Sequence, residues 1–179
     1  MQGFLKKHNP GVAHHSLKVS WSRSAQTVSI DFQVQKRDSK PWITSSEFGE
    51  DWKKNWGLWD KDVFEAFLQL RNDKDDLHAP YLEIQVSPLN QPFALLIVEP
   101  RKTFHAPEKL DLSTKVEIEG RSLKANLTVV LPSELRGELL YGGFFSCLGD
   151  APREFFALDP NPEDKPDFHR PELFVPLDG

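Results

Sequence analysis

The clearest pattern of apolar and polar residues lies between Gln26 and Val34, where the two kinds alternate. The apolar members are Val28, Ile30, Phe32 and Val34. A period of two is typical of a β-strand with one buried face. Shorter runs at Leu17–Trp21 and Tyr81–Val86 predict two further strands of this kind.

The rest of the chain carries more short apolar runs. Phe93–Val98 is continuously apolar, as central strands are. The others are Val116–Ile118, Leu123–Leu131, Leu139–Leu148 and Glu154–Leu158, each bounded by Gly, Pro or Asp. Turn signals recur about every ten residues. We therefore predict an all-β protein, an antiparallel β-sandwich of the jelly-roll or immunoglobulin-like kind.

The segment Leu58–Leu70 does not fit this pattern. Trp59, Val63, Ala66, Phe67 and Leu70 recur at helical spacing, which predicts a helix. Strands on both sides favour pairing instead, so periodicity alone leaves both structures open. Glu65 lies inside this apolar run. A buried carboxylate costs several kcal/mol unless it is paired or hydrogen-bonded, so Glu65 requires either a polar ligand or a structural partner.

Length and spacing suggest one domain. With 179 residues the chain can form one full core, which we place in residues 17–179. Residues 1–16 show no periodic pattern and are predicted to be a loose N-terminal segment. Residues 35–57 hold three tryptophans without a period and are predicted to form a long loop, where binding residues are often found.

Charge and hydropathy exclude several classes of partner. The net charge is -5 and no basic cluster exceeds two residues, which argues against nucleic acid. No apolar stretch approaches the roughly 20 residues of a membrane helix, so we expect no membrane partner. Residues 1–11 lack the apolar centre of a secretory signal. The sequence as given is therefore expected to be cytoplasmic, or secreted if a leader was removed.

Three ordered motifs carry a family resemblance. They are LWDKDVFEAFL followed by YLEIQVSP, the run Arg153–Leu158, and the closing segment Phe168–Phe174. Together they cover about Trp42 to Phe174 and resemble the family 9 carbohydrate-binding modules and the related DOMON β-sandwiches. The resemblance implies a sandwich in which Leu58–Leu68 is a strand. It also implies a concave site that binds a mono- or oligosaccharide without transforming it.

The resemblance assigns roles to two residues. Trp59 matches the first tryptophan of an aromatic clamp, and Glu65 matches an acid that binds sugar hydroxyls. No tryptophan follows Trp59, so Tyr141, Phe144 or Phe145 would have to complete the clamp. A structural calcium ion is also implied as possible, with two acidic loop pairs as candidate ligands. These pairs are Asp60 with Asp62 and Asp159 with Asp164.

The chemistry of a pyranose suggests further site residues. Its C–H face packs on an aromatic ring, and its hydroxyls suit planar side chains that make two hydrogen bonds. The candidates on predicted strands are Glu65, Glu83, Gln85 and Arg153. Structural alternatives remain for each of them. Trp59 would be a core or edge aromatic, Glu65 would pair with Arg153 or Arg71, and Glu83 and Gln85 would lie on a solvated strand face.

Two other functions stay open at this point. A β-sandwich that has lost its sugar site would serve as an interaction or scaffold domain. A glycoside hydrolase needs two carboxylates about 5 to 9.5 Å apart, and Glu65 and Glu83 are the candidates. The single cysteine, Cys147, excludes an internal disulfide and is expected to be a small buried apolar residue.

Overall fold

The computed structural model describes residues 1–8, 13–160 and 166–178. Within these residues the chain forms twelve strands, all paired antiparallel, and no α-helix. The strands are β1 (Gln2–Lys7), β2 (His15–Ser24), β3 (Thr27–Lys36), β4 (Val63–Arg71), β5 (Tyr81–Val86), β6 (Pro92–Glu99), β7 (Thr103–His105), β8 (Asp111–Glu119), β9 (Ser122–Val130), β10 (Leu139–Leu148), β11 (Glu154–Ala157) and β12 (Val175–Pro176). Short 3-10 turns occupy Leu58–Asp60 and Pro171–Leu173. The all-β prediction is confirmed.

The strands form two halves that pack around one apolar interior. One half has the order β7-β6-β5-β4-β10-β11, with β12 beside β10, and the other has the order β1-β2-β3-β9-β8. The main hydrophobic cluster takes residues from both halves, among them Phe32 of β3 and Phe64 of β4. This arrangement is the predicted β-sandwich.

The N-terminal strand β1 joins the two halves. Leu5 pairs with Leu17 of β2, while Lys6 pairs with Ala157 of β11. The prediction of a loose segment over residues 1–16 is therefore wrong for residues 2–7 and for residues 15 and 16, which begin β2. The pattern of β1 is weak because Leu5 is its one buried residue. Residues 9–12 of the predicted segment lie outside the described part of the chain.

Val63–Arg71 is a central strand, so the strand implied by the family resemblance is confirmed and the alternative of a helix over Leu58–Leu70 is not formed. The strand pairs with β5 on one side and with β10 on the other. All of its residues are buried, so apolar side chains occur on both faces of the strand. Several of them are spaced three or four residues apart, which resembles the period of a helix. The strand implied by the family resemblance begins at Val63 instead of Leu58, since a 3-10 turn comes first.

The two faces of β4 have different environments. Phe64, Ala66 and Leu68 pack in the interior between the two halves. Val63 and Phe67 belong to a second apolar cluster on the opposite side of the sheet, together with Tyr81 and Phe174. We call this side the outer face. Its apolar residues are covered by the loop before β4 and by residues 166–178, and this covering creates the candidate site.

None of the helical segments in residues 1–8, 13–160 and 166–178 has the length and hydrophobicity needed to cross a bilayer.

Candidate functional site

A cavity of about 600 Å³ opens on the outer face of strands β4, β5, β6 and β10. Glu65, Glu83 and Gln85, which the sequence singled out, line it together with Cys147 of β10. We call the three polar side chains the floor row. The other lining residues come from the loop before β4, from the β6–β7 hairpin and from the C-terminal segment. They include Trp56, Trp59, Arg101, Phe104, Phe168 and His169.

Strand register assembles the floor row. Glu65 of β4 is directly opposite Gln85 of β5, and Glu83 lies on the same face two residues earlier. The side chains are 3%, 1% and 4% exposed for Glu65, Gln85 and Glu83, respectively. The alternative that Glu83 and Gln85 lie on a solvated face is therefore wrong. The strand is covered on both faces, a property that alternation within β5 alone does not reveal.

Hydrogen bonding leaves acceptors unused in the floor row. The Gln85 amide nitrogen donates to Glu83 Oε1 at 2.6 Å. The Gln85 amide oxygen is buried and has no hydrogen-bond partner among the described residues. The Cys147 thiol is 3.7 Å from Glu65 Oε1 and is a weak donor to it. A buried polar group without a partner is costly, so this arrangement is suited to a ligand.

Burial shifts the protonation of the two carboxyls. Burial, followed by the nearby Glu83 charge, raises the pKa of Glu65 to about 8. Burial also raises the pKa of Glu83 to about 7. Protons therefore remain on this pair in neutral solution. Perturbed carboxyls on the floor of a cavity are a mark of functional sites.

His169 connects the floor row to the C-terminal segment. Its Nδ1 is 2.7 Å from the Tyr81 hydroxyl, and its Nε2 is 3.9 Å from Glu83 Oε2. Burial lowers the pKa of His169, which favours the neutral ring. The segment is further fixed where Phe168 stacks on Phe145, with ring centroids 4.4 Å apart. This wall of the cavity is therefore rigidly packed against the sheet.

Arg71 and Arg153 do not provide the simple ion pair considered for Glu65. Arg71 donates to Gln69 Oε1 at 2.7 Å and to the carbonyl oxygen of Pro171 at 2.6 Å. Arg153 lines the cavity and donates to the carbonyl oxygens of Trp59, at 2.6 Å, and Lys61. Arg153 thereby holds the turn that carries Trp59, so it has a positioning role.

Two tryptophans form an aromatic wall. Trp59 lies in the 3-10 turn before β4, and its ring meets that of Trp56 edge to face at 4.9 Å. Trp56 is 56% exposed and stacks on Phe104 at 5.5 Å. The buried side chain of Asn55 anchors the loop by donating to the carbonyl oxygens of Gly49 and Pro92. Trp56 and Phe104 were missed in the sequence because no periodic pattern marks them.

The residues proposed to complete the clamp do not line the cavity. Tyr141 lies elsewhere on the outer face, where the Arg71 guanidinium covers its ring at 4.0 Å. Phe144 points into the interior, and Phe145 is beneath Phe168. Tyr141, which the sequence placed among the site residues, therefore lies outside this cavity. Phe155 and Phe168 supply the aromatic surface in addition to the tryptophans.

Asp60 and Asp62 have different environments. Asp60 is exposed at the cavity, whereas Asp62 is buried and accepts backbone N–H groups from Ile43 and Gly149 at 2.8 and 2.6 Å. In the described part of the chain, no group of three or more His, Cys, Asp and Glu side chains is arranged to hold a metal ion. The calcium prediction thus gains no support. The second proposed pair includes Asp164, which lies outside the described residues.

Comparisons with known proteins identify similar folds. No family model matches the sequence, and a search of curated proteins gave no match. A family 9 carbohydrate-binding module from Caldicellulosiruptor kristjanssonii, solved with cellotriose, is 14% identical and has a TM-score of 0.62. The match covers 97% of this chain and 79% of that one. A structure of a family 9 module from the same organism with glucose gives a TM-score of 0.59 at 14% identity, covering 96% and 82%. The fold expected from the resemblance is confirmed.

Proposed function

We propose that this protein binds carbohydrate in the outer-face cavity without transforming it. The observation that carries this proposal is the floor row, a buried polar row beneath aromatic walls. Aromatic rings accept the apolar face of a sugar, while planar polar side chains bind its hydroxyls. The volume of about 600 Å³ is in the usual range for small-ligand sites.

The structural neighbours support the same proposal. Both are carbohydrate-binding modules whose structures contain a sugar, cellotriose in one and glucose in the other. Sharing a fold does not transfer a function, because function depends on the residues of a site. The support therefore depends on the floor row and Trp59, which this chain places in one cavity.

The structural neighbours favour binding over hydrolysis, because both are binding modules. A glycosidase places its two carboxyls on either side of the bond that is cleaved. Glu65 and Glu83 project from the same face of adjacent strands, so they are well placed to hold one side of a ligand together.

Replacing Trp59 with alanine is expected to weaken binding of glucose or cellotriose at least about tenfold, because the sugar loses its stacking surface. Isothermal titration calorimetry measures the change. Trp52 is half-buried and does not line the cavity, so Trp52→Ala is the matched control and should keep wild-type affinity. Thermal melting of each variant shows whether it remains folded.

Two results would count against the proposal. If Trp59→Ala lowers stability as a core substitution does, by roughly 3–5 kcal/mol, but leaves affinity unchanged, Trp59 is structural. If the wild type binds no carbohydrate at millimolar concentrations, the fold serves as an interaction or scaffold domain instead.

A further inference from the structure

We propose that the sugar preferred by this cavity carries a protonated amine, which Glu65, Glu83 and the Gln85 amide oxygen bind together. This inference rests on the proposed carbohydrate function and specifies the class of sugar. Its basis is the uneven distribution of hydrogen-bond acceptors and charge around the floor of the cavity.

The floor row presents acceptors to the cavity. The Gln85 amide nitrogen already donates to Glu83, so the unused atom of that amide is its oxygen. Ionised Glu65 and Glu83 are acceptors only. An ammonium group has three N–H donors and no acceptor, so it complements three acceptors of this kind. A neutral hydroxyl offers one donor, so it can satisfy only one of these three acceptors.

In the described residues, neither Glu65 nor Glu83 forms an ion pair with a lysine or arginine. Burial and the Glu83 charge raise the pKa of Glu65, and the charge of Arg153, which also lines the cavity, lowers that pKa by a smaller amount. Glu83 has His169 Nε2 at 3.9 Å, and the lowered pKa of His169 keeps that ring neutral. A buried carboxylate without a cation is unfavourable, so in the free protein this pair retains protons in neutral solution, and a ligand ammonium would take their place.

The other charged groups around the cavity do not reverse this preference. Arg101 of the β6–β7 hairpin pairs with Asp167 of the C-terminal segment, and Asp60 adds another carboxylate at the cavity. Arg153 donates to the backbone carbonyls of Trp59 and Lys61. The cavity is therefore poorly suited to a sugar acid or a sugar phosphate.

The walls also favour a cation. Trp59, Trp56 and Phe168 line the same cavity, and the electron-rich faces of aromatic rings attract a desolvated ammonium. An amino sugar would use both parts of the site. Its C–H face would contact the aromatic wall while its amine would contact the floor row.

Calorimetric titrations at pH 7 and low salt with glucosamine, glucose and N-acetylglucosamine test this inference. We expect glucosamine to bind at least about tenfold more tightly than the two neutral sugars, since a charge-assisted contact in a buried site contributes more than a neutral one. Repeating the titration in buffers of different ionisation enthalpy should show proton release for glucosamine only. The raised pKa values of Glu65 and Glu83 support this expectation, because an ammonium displaces their protons.

Glu65→Gln and Glu83→Gln keep the shape of the side chains and remove the charge. Each should reduce glucosamine affinity at least about tenfold, and by a larger factor than it reduces glucose affinity, with an unchanged near-ultraviolet circular dichroism spectrum as the folding control. If glucose binds as tightly as glucosamine to the wild type, the amine inference is wrong and the carbohydrate proposal stands. If none of the three sugars binds but cellotriose does, the amine inference is likewise overturned. If no carbohydrate binds, both proposals fail.

Discussion

Phe32→Ala is expected to lower the free energy of unfolding by about 3–5 kcal/mol. Phe32 of β3 is fully buried between the two halves of the sandwich. Its ring contacts those of Phe64 and Phe144 across the interior, with centroids 5.7 and 6.1 Å apart. Alanine would leave a cavity that the two sheets cannot close. Urea denaturation monitored by tryptophan fluorescence measures the change.

An exposed phenylalanine provides the matched control for this prediction. Phe4 of β1 is 70% exposed, so Phe4→Ala should change stability by less than about 0.5 kcal/mol. A loss below about 1 kcal/mol for Phe32→Ala would show that the face of β3 assigned to the interior is the wrong one.

The second large effect is a loss of stability as the pH rises from about 5 to 9. The ordinary glutamate pKa is 4.5, and burial raises the pKa of Glu65 to about 8 and that of Glu83 to about 7. Between these values the folded protein binds more protons than the unfolded chain, so stability decreases with pH. The stabilisation is complete at pH 4.5 and below, and it is lost as the pH passes through the folded pKa values. We expect a decrease on the order of a few kcal/mol.

Denaturation curves at several pH values test this expectation. The variant Glu65→Gln/Glu83→Gln cannot titrate at these positions, so it should show a flatter profile and gain stability over the wild type above pH 8. Glu154 provides a contrast. Burial acts to raise its pKa, but hydrogen bonds from His15, His14 and Lys7 outweigh burial and lower that pKa. Its contribution changes only below the ordinary glutamate pKa. Parallel profiles for the wild type and the double variant between pH 5 and 9 would contradict the assignment.

Local alternation and short apolar runs bounded by turn residues predicted most of the strands. Alternation marks a strand because one buried face imposes a period of two. It failed at β4, where both faces are covered and the period disappears. It also failed at β1, where a single buried residue, Leu5, leaves no pattern. In both cases the missing information was which other strands lie alongside, and that is a property of the whole fold.

The sequence predicted the part of the candidate site that lies on strands. Glu65, Glu83 and Gln85 were identified from residue type and spacing, and strand register brings them together. Most of the walls come from segments without a period. Trp56 lies in the long loop that Asn55 anchors, and Phe168 lies in the C-terminal segment that packs on Phe145. Phe104 lies in the short strand β7. Residue type and spacing also did not show that the Arg71 guanidinium covers the ring of Tyr141, outside the cavity.

The indole N–H signals of the five tryptophans allow the central claim to be tested directly. A two-dimensional ¹H–¹⁵N spectrum resolves one such signal per tryptophan, assigned by single Trp→Phe variants, and detects binding even at millimolar dissociation constants. Trp21 is buried in the interior and donates to the Leu177 carbonyl oxygen, so it serves as the internal control. On titration with glucose, glucosamine or cellotriose, the account predicts shifts for Trp59 and Trp56 and none for Trp21. Unchanged Trp59 and Trp56 signals with all three sugars would contradict a carbohydrate site in this cavity.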